Sequence, residues 1–581
     1  MNSTMHLSVK RNIATSNHAT AFDGSAGQSP WQQLKHQLAK CETTHLNQET
    51  LVIGNLQKNK WANVSHETGS STINEILHKF WGDALVALID CSGTYLFPMP
   101  CSGIRLYYHE GPGVTHICTN LSELIETVGE ERKPHLAYAI AHIVGPFEIS
   151  PFTPFESYKK VPNGHAIRFD AEGNVTLVRI WPAFGAIQPL SEDDFVTCFL
   201  EIVHDYLSEA AGSARSLNFF LSGGFDSTLL AYCTRKLLGP SVDMNVINCY
   251  DSRYSSSDER EAVQQTVDAL GATVTYVDLA SMRPFSRLLD LSTQWGDFTG
   301  KIALAEYYES INMSIDGNIL SGQGGDTLFF EFPRLTALAQ LPMRDALLKS
   351  VQVAHCYGRP ILNILAGLGR EFLTRKLDIQ PRQFKDSALE AYFHPRALHL
   401  RDHLVYQNTI SSYKGLNVAQ QAYIQEVEFT IEMMAANNSG HCSYERSPYL
   451  SRPALEAFLA LPLASHFGPE KRPIQRRLLR EVCGNDYKPR FTKGYITPTM
   501  HAGMVEQRTV ISTLLNEGVL ADHTSKGMLQ DLWRNLVAGH GRNLQLIGKL
   551  VEVEGFYRSW EGVGDKQKFG ALNVADPILA S

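Results

Sequence analysis

The chain has 581 residues, 44% of them hydrophobic and 19% charged, with a formal charge of −8 at pH 7. This is an ordinary globular composition, long enough for two to four domains, and its acidic balance argues against nucleic acid as the main partner. No apolar run reaches the length of a membrane span, and the polar start from Met1 to Ser25 lacks the apolar core of a signal peptide. Ten cysteines with no C-x-x-C pair read as reduced thiols of a cytoplasmic protein, not as zinc ligands or a redox motif.

The first 48 residues are polar with one amphipathic stretch, Trp31 to Leu46, which predicts a helix. Short β-like runs follow: Leu51–Leu56, Ala84–Asp90, Gly93–Pro98, Ile104–His109 and Val114–Thr119. Helices are expected over Leu121–Val128 and Pro134–Val144. A turn at Pro162-Asn163-Gly164-His165 leads into a strand, and the hairpin turn Ala171-Glu172-Gly173-Asn174 returns through Val175–Trp181. Pro182, Gly185 and Pro189 mark 182–190 as a linker. The chain therefore divides into residues 1–186 and 190–581.

The second domain opens with a helix capped by Ser191, with Glu192, Asp193 and Asp194 in its first turn. Its apolar stripe is Phe195, Phe199, Val203, Tyr206 and Leu207. An apolar run, Leu217 to Leu221, then meets a glycine turn and a helical pattern from Thr228 to Leu238. Met244–Tyr250 reads as a second strand, Ser257 as the cap of a helix ending near Gly271, and Thr273–Val277 as a third strand. Ile302–Ile311 is helical, and Gly317–Leu320 is a strand running into Ser321-Gly322-Gln323-Gly324-Gly325-Asp326. Strands alternating with helices predict a parallel sheet covered on both faces. Ligands of such sheets sit beyond the carboxyl ends of the strands, where both glycine turns fall. From residue 334 onward strand signals nearly vanish and helix dominates.

The turn Leu221-Ser222-Gly223-Gly224-Phe225-Asp226-Ser227 has the geometry of an anion site. Glycines let the backbone approach closely, and the N–H groups of the turn and the helix start point at the ligand. Ser222 and Ser227 add hydroxyls. Asp226 and Asp326 each follow a glycine turn at a strand end, and two convergent carboxylates are what Mg²⁺ needs to bridge a pyrophosphate. The turn is not a Walker A loop, since G-x-x-x-x-G-K-[ST] is absent.

The S-G-G-F-D-S turn resembles the pyrophosphate-binding loop of enzymes that split ATP into AMP and pyrophosphate. Together with S-G-Q-G-G-D-T-L-F it is similar to the synthetase domain of class B asparagine synthetases and their relatives. Ser257-Asp258-Glu259-Arg260-Glu261-Ala262, Glu445 to Arg452, and Arg490-Phe491-Thr492-Lys493-Gly494-Tyr495 extend the likeness. Pro162-Asn163-Gly164-His165 with Trp181 resembles the end of that family's glutaminase-type domain. The resemblance spans about residues 50 to 500. It implies an N-terminal Ntn-hydrolase-like α/β sandwich, here an inactive glutaminase-type domain, and a C-terminal ATP-pyrophosphatase (PP-loop) α/β domain with a large helical part. It further implies ATP and Mg²⁺ as cofactors. Leu221, Ser222, Gly223, Gly224, Asp226, Ser227, Ser321 and Gly322 would line the nucleotide, and Asp226 and Asp326 would hold the metal. With these two acids, Lys493 completes the catalytic set, stabilising charge on an acyl-adenylate.

Two departures narrow the reading. Glutamine-dependent synthetases need a cysteine directly after the initiator Met, whereas this chain reads Met1-Asn2 and its first cysteine is Cys41. Gln323 stands where asparagine synthetases carry glutamate and β-lactam synthetases a tyrosine, and an amide is no general base. The amine is therefore expected from the substrate itself. The resemblance favours a lasso peptide cyclase, which joins the N-terminal amine of a precursor peptide to an Asp or Glu side chain. A leader peptidase and a leader-binding protein of the same pathway are the further partners it implies. β-Lactam closure of a small amino acid derivative and ammonia-dependent amidation are the alternatives. Tyr392, Phe393, Tyr406, Tyr413, Tyr423, Phe429 and Tyr444 are candidates for lining a peptide chamber, with core packing the plainer reading for any one of them.

Overall fold

In a computed structural model of the chain, the residues described are 6–10, 29–38, 44–47, 49–60, 64–66, 68, 70–144, 150–212, 215–288, 297–298, 319–329, 335–376, 387–402, 404, 413, 416–438, 445–484, 494, 497–539 and 544–561. The expected helix Ile302–Ile311 lies outside them, as do Lys493, Tyr406 and Tyr444.

The first part of the chain builds two antiparallel sheets. One has six strands in the order Val175–Arg179, His165–Phe169, Gly93–Pro98, Ala84–Asp90, Thr50–Gly54 and Thr44–Asn47. The other has four: His6–Lys10, Val114–Cys118, Leu106–Gly111 and Lys159–Val161. Side chains on a strand alternate between faces, and the six-stranded sheet uses both. Leu51, Leu85, Ala87, Leu96 and Phe169 face inward and meet Leu106, Tyr108, Ile117 and Val161 of the other sheet. Val52, Val86, Leu88 and Phe97 face the helix Ser71–Lys79 through Ile73, Ile76 and Leu77. Behind the four-stranded sheet, Tyr107 and Cys118 pack on the helices Leu121–Val128 and Leu136–Val144. The layers are helix, sheet, sheet, helix.

Two sequence expectations give way here. The helix from Trp31 ends at Leu38, and Thr44–Asn47 is a strand, because pairing with Thr50–Gly54 outweighs the amphipathic pattern. The expected linker 182–190 contains the strand Phe184–Ile187, which pairs with Val64–His66 and buries Phe184.

The second part centres on a five-stranded, all-parallel sheet in the order Thr273–Asp278, Asp243–Tyr250, Ser216–Phe220, Ile319–Leu320 and Glu445–Arg446. The first strand in sequence, Ser216–Phe220, lies in the middle. The second and third strands extend the sheet to one side, the fourth and fifth to the other. The order reverses at that middle strand, the place beyond whose carboxyl ends ligands of such sheets sit. Ser191 caps the helix Glu192–Ala211 through the Asp194 N–H, as expected. Ser257 is no helix cap. Its hydroxyl closes a turn on the Asp251 and Tyr254 carbonyls, and the helix begins at Arg260. The strand Glu445–Arg446 was invisible in the sequence, since two residues carry no periodicity.

The helices Thr497–Glu506, Arg508–Glu517, Lys526–Val537 and Leu544–Glu561 return to the first domain. Ile511, Leu514, Leu550 and Phe556 share a core with Leu121, Ile140 and Phe155. Of the candidate chamber residues, Phe393, Tyr413 and Tyr423 are buried in core clusters, so they do not line a peptide cavity. Among the described residues no helix is long and apolar enough to cross a membrane.

Polar contacts weld the two parts together. Arg105 bonds Asp297 at 2.8 Å and also reaches Glu432. Lys160 bonds Asp297 at 3.0 Å, and Arg179 bonds Glu428 at 2.6 Å. Arg452 is 1% exposed and bonds Glu456 at 2.9 Å, the Leu77 carbonyl at 2.6 Å and the Phe80 carbonyl. His66 lies 3.5 Å from Glu456 but is not its ionic partner. Burial and the neighbouring Arg452 push the imidazole down to about 2, so neutral His66 accepts from the Arg452 guanidinium at 3.1 Å.

Replacing Arg452 by Met leaves the buried Glu456 without its cation. The expected cost is about 3–5 kcal/mol of stability, read from urea unfolding. Acid should also destabilise the protein. Burial holds the His165 imidazole down at about 3, against about 6.5 unfolded. The unfolded chain thus binds the extra proton, and stability falls as pH drops from about 6.5 toward about 3. Buried Glu428 and Glu456 are shifted up and act with the opposite sign. Comparing wild type with His165→Gln isolates the histidine: the variant should lose about 1 kcal/mol less per pH unit between pH 6 and 5.

Candidate active site

The turn after Ser216–Phe220 and the turn after Ile319–Leu320 stand side by side because their strands are neighbours. Leu221 is buried. Its N–H bonds the Ile247 carbonyl at 3.1 Å, and its carbonyl accepts from Asn248 at 2.8 Å. The chain then turns through Gly223 at φ 68° and enters the helix Phe225–Leu238. Gly224 gives that helix no side-chain cap, so its first-turn N–H groups are not consumed by one. Ser227 Oγ accepts the Ser222 N–H at 3.2 Å, which sets the curvature of the turn and leaves Ser222 exposed.

The second turn closes on the first. A Cβ at position 322 would stand 2.6 Å from Ser227 N, and one at 325 would stand 2.5 Å from Asp226 Oδ1. Glycine at both places is what allows contact. Ser321 is buried, and its N–H bonds the Arg446 carbonyl at 2.9 Å. A third segment, after Glu445–Arg446, braces both turns. Ser447 Oγ donates to the Gln323 carbonyl at 2.6 Å, and Tyr449 OH donates to the Asp226 carbonyl at 2.7 Å.

The Asp226 carboxylate is held from the start of the helix Pro473–Cys483. Arg472 Nη1 and Gln475 Nε2 both donate to Oδ1, at 2.8 and 2.6 Å. Burial pushes this carboxyl up, Arg472 and Gln475 oppose that, and the charge of Asp326 adds to it. Asp226 thus senses the charge of Asp326. Among the described residues no group of three or more His, Cys, Asp or Glu gathers as a metal cage. Two carboxylates completed by phosphate oxygens and water is a habitual Mg²⁺ arrangement, so the donor set fits that ion.

The structure therefore brings together Leu221, Ser222, Gly223, Gly224, Asp226, Ser227, Ser321, Gly322 and Asp326. Lys493 lies outside the described residues. The sequence reading missed Arg472, Gln475, Tyr449 and Asn248. Arg472 and Gln475 carried a faint signal: they lie in the first turn around Pro473, a residue favoured at a helix start, and one of them is a permanent cation.

The asparagine synthase family matches residues 201–552, more than half of the chain. The chain belongs to that family. Its members use ATP, usually with Mg²⁺, so the reaction class is ATP-dependent amide-forming or adenylating chemistry. No curated protein matches the chain. Among solved structures it is similar to the U34-tRNA thiolase NcsA from Methanococcus maripaludis, solved with its 4Fe-4S cluster, at 11% identity and a TM-score of 0.20, over 61% of this chain and 80% of that one. It is also similar to NMN synthetase from Francisella tularensis, at 12% identity and a TM-score of 0.17, over 39% of this chain and 98% of that one. Neither likeness carries weight at these scores.

Gly322→Ala should force the two turns apart by pressing a methyl against Ser227 N. ATP-dependent pyrophosphate release is expected to fall about 10²-fold, the usual effect of a misplacement near 1 Å, with a loss of stability on the order of 1–3 kcal/mol because the methyl presses on backbone atoms.

Proposed function

We propose that the protein is an ATP-dependent ligase that adenylates an Asp or Glu side chain of a precursor peptide and closes a macrolactam with the peptide's N-terminal amine. The observation that supports this most is the meeting of two glycine turns, two aspartates and a buried-side arginine at the reversal point of a parallel sheet, in a chain of the asparagine synthase family.

In this reading the triphosphate lies along the Ser222–Ser227 turn, its charge met by backbone N–H groups, the two serine hydroxyls and Arg472. Asp226 and Asp326 would hold Mg²⁺, whose chemistry there is to screen the charge growing on the pyrophosphate. A carboxylate oxygen of the peptide attacks the α-phosphorus, the bond to the β-phosphate oxygen breaks, and pyrophosphate leaves. The amine nitrogen then attacks the acyl carbon, loses a proton, and AMP departs with the bonding electrons. Lys493 supplies a fixed cation for the adenylate and the tetrahedral intermediate.

Gln323 supports a substrate-borne amine. Its amide takes no proton, and S-G-Q-G-G-D, with its non-acidic third residue, resembles the lasso cyclases. Holding both ends of one peptide together supplies an effective molarity on the order of 10⁵ M or more. The helix–sheet–sheet–helix domain acts as a scaffold of glutaminase type, built on an Ntn-hydrolase-like sandwich. A leader peptidase and a leader-binding protein would be its partners in the cytoplasm.

Pyrophosphate release should be followed with Mg·ATP and three substrates: a synthetic peptide with a free N-terminus and internal Asp or Glu, a small β-amino acid, and aspartate with ammonia. Release with the peptide, together with a product lighter by one water, is the expected result. Release only with either of the small substrates refutes the peptide reading. Asp226→Ala should abolish release with every substrate.

A further inference from the structure

The helices Met343–Tyr357 and Ile361–Lys376 form a hairpin that turns at Gly358, φ 59°. One face of each helix is buried in a single core. Ala346 and Val353 of the first and Ile364 and Leu368 of the second meet Ala419 and Phe467 there. Lys349 Nζ donates to the Phe467 carbonyl, and Lys471 Nζ stands 5.2 Å from the centre of the Tyr357 ring. The hairpin is thus fixed to the body of the protein, with its other face turned away from that core.

That outer face is apolar. Among the described residues eleven large hydrophobic side chains are exposed, and six of them lie on this hairpin. Met343, Leu347 and Val351 follow one another a turn apart, with Leu348 beside them. Leu362 and Leu373 are about three turns apart and so line up on the second helix. They are 75% and 61% exposed. Gly369 lies on the same ridge, and a Cβ there would meet nothing within 4 Å. Arg344, Arg359 and Arg370 are exposed on the hairpin, with Asp345 as an exposed acid. From residue 343 to 373 the chain carries four Lys or Arg and two acids, a net charge of +2 in a protein of −8.

We propose that this hairpin rests on an anionic membrane surface, with its apolar ridges at the headgroup boundary and its arginines on lipid phosphates. Helices of 15 and 16 residues are too short to span a bilayer, but an apolar face edged by arginines suits a helix lying in the interface plane. The exposed set is four leucines, a valine and a methionine. Protein hot spots are instead rich in Trp and Tyr and poor in Leu and Val. A second copy of the chain meeting this face across a two-fold axis would set the arginines against their own copies. An anionic lipid surface takes both halves of the pattern. The apolar side chains enter the acyl boundary, and the arginines reach phosphate oxygens over their own apolar stems. The leaflet with that charge is the cytoplasmic one.

The test floats the full chain through a density gradient with vesicles of phosphatidylcholine alone, or of phosphatidylcholine and phosphatidylglycerol in equal parts. Wild type should rise with the mixed vesicles and stay below with phosphatidylcholine, and added salt should release it. Leu362→Gln combined with Leu373→Gln removes apolar surface without changing charge. It should lower the partition coefficient on the order of tenfold. Arg344→Gln should lower it about fivefold, the worth of one basic residue near such a surface. All three side chains are exposed, so the unfolding midpoints should match wild type. Failure of wild type to rise with the mixed vesicles overturns the membrane assignment, as does equal flotation of the glutamine pair. A concentration-dependent dimer on gel filtration that the glutamine pair abolishes, with no vesicle binding by wild type, gives the face to a second copy instead. Flotation does not depend on the ligase chemistry, so either reading can fail without the other.

Discussion

The guanidinium of Arg452 is the contact on which the arrangement of the site depends. It is buried between the two halves of the protein. One side is tied to Glu456 and neutral His66, the other to the Leu77 and Phe80 carbonyls at the end of a first-domain helix. Those carbonyls are orphans of a helix terminus and would otherwise need water. Arg452 comes directly after the segment that braces both glycine turns, through Ser447 on Gln323 and Tyr449 on Asp226. The first domain therefore reaches the site through Arg452, and among the described residues it contributes no side chain to it.

Beside the apolar core the two parts share, that wiring is ionic, and the physics of buried ions says why it is specific. Taking Arg105, Arg179 and Arg452 out of water costs several kcal/mol each, which only well-placed carboxylates and carbonyls offset. Glu428 and Glu432 are four residues apart on the helix Val418–Asn438 and so share a face. They receive Arg179 and Arg105 respectively. Tyr413 OH adds a bond to Glu428 at 2.8 Å, and the Asn163 N–H one to Glu432 at 2.5 Å. An apolar seam would tolerate sliding by a fraction of a turn. This one does not, because a shift strands a charge. Asn163 belongs to the Pro162-Asn163-Gly164-His165 turn, so the motif that marked the end of the first domain in the sequence is also part of its attachment.

How much of this could be read in advance follows from which signals are local. Ala84–Asp90, Gly93–Pro98 and Leu121–Val128 came out with the bounds their apolar periodicity predicted, and Ser191 capped its helix. The glycine turns were legible because each is a contiguous string whose backbone needs are set by its own residues. The misses are tertiary. Glu445–Arg446 is a strand only because Ile319–Leu320 offers it an edge. Ser257 had a better partner in the 251 turn than in the helix it seemed to head. Arg472 and Gln475 sit about 250 residues from Asp226 in sequence, and nothing near them names their target.

The electrostatics of Asp226 tie these threads together. In the protein alone, this carboxylate faces burial and a second aspartate, both of which favour its protonated form. Arg472 and Gln475 offset that, so a permanent cation is parked where the site must later manage the charge of a triphosphate. Arginine suits this post better than lysine. Its fork binds a carboxylate or a phosphate with the same geometry, and it stays charged in either surrounding. On the proposed reading, a nucleotide arriving with Mg²⁺ brings its own countercharge for Asp226 and Asp326, and Arg472 exchanges a carboxylate for a phosphate oxygen. Mg·ATP still adds net negative charge to the site, which Arg472 and the N–H groups of the turn meet. The cation comes from a separate helix start, packed through Ile474, Leu478 and Leu479 into the same core as the helix that follows the turn.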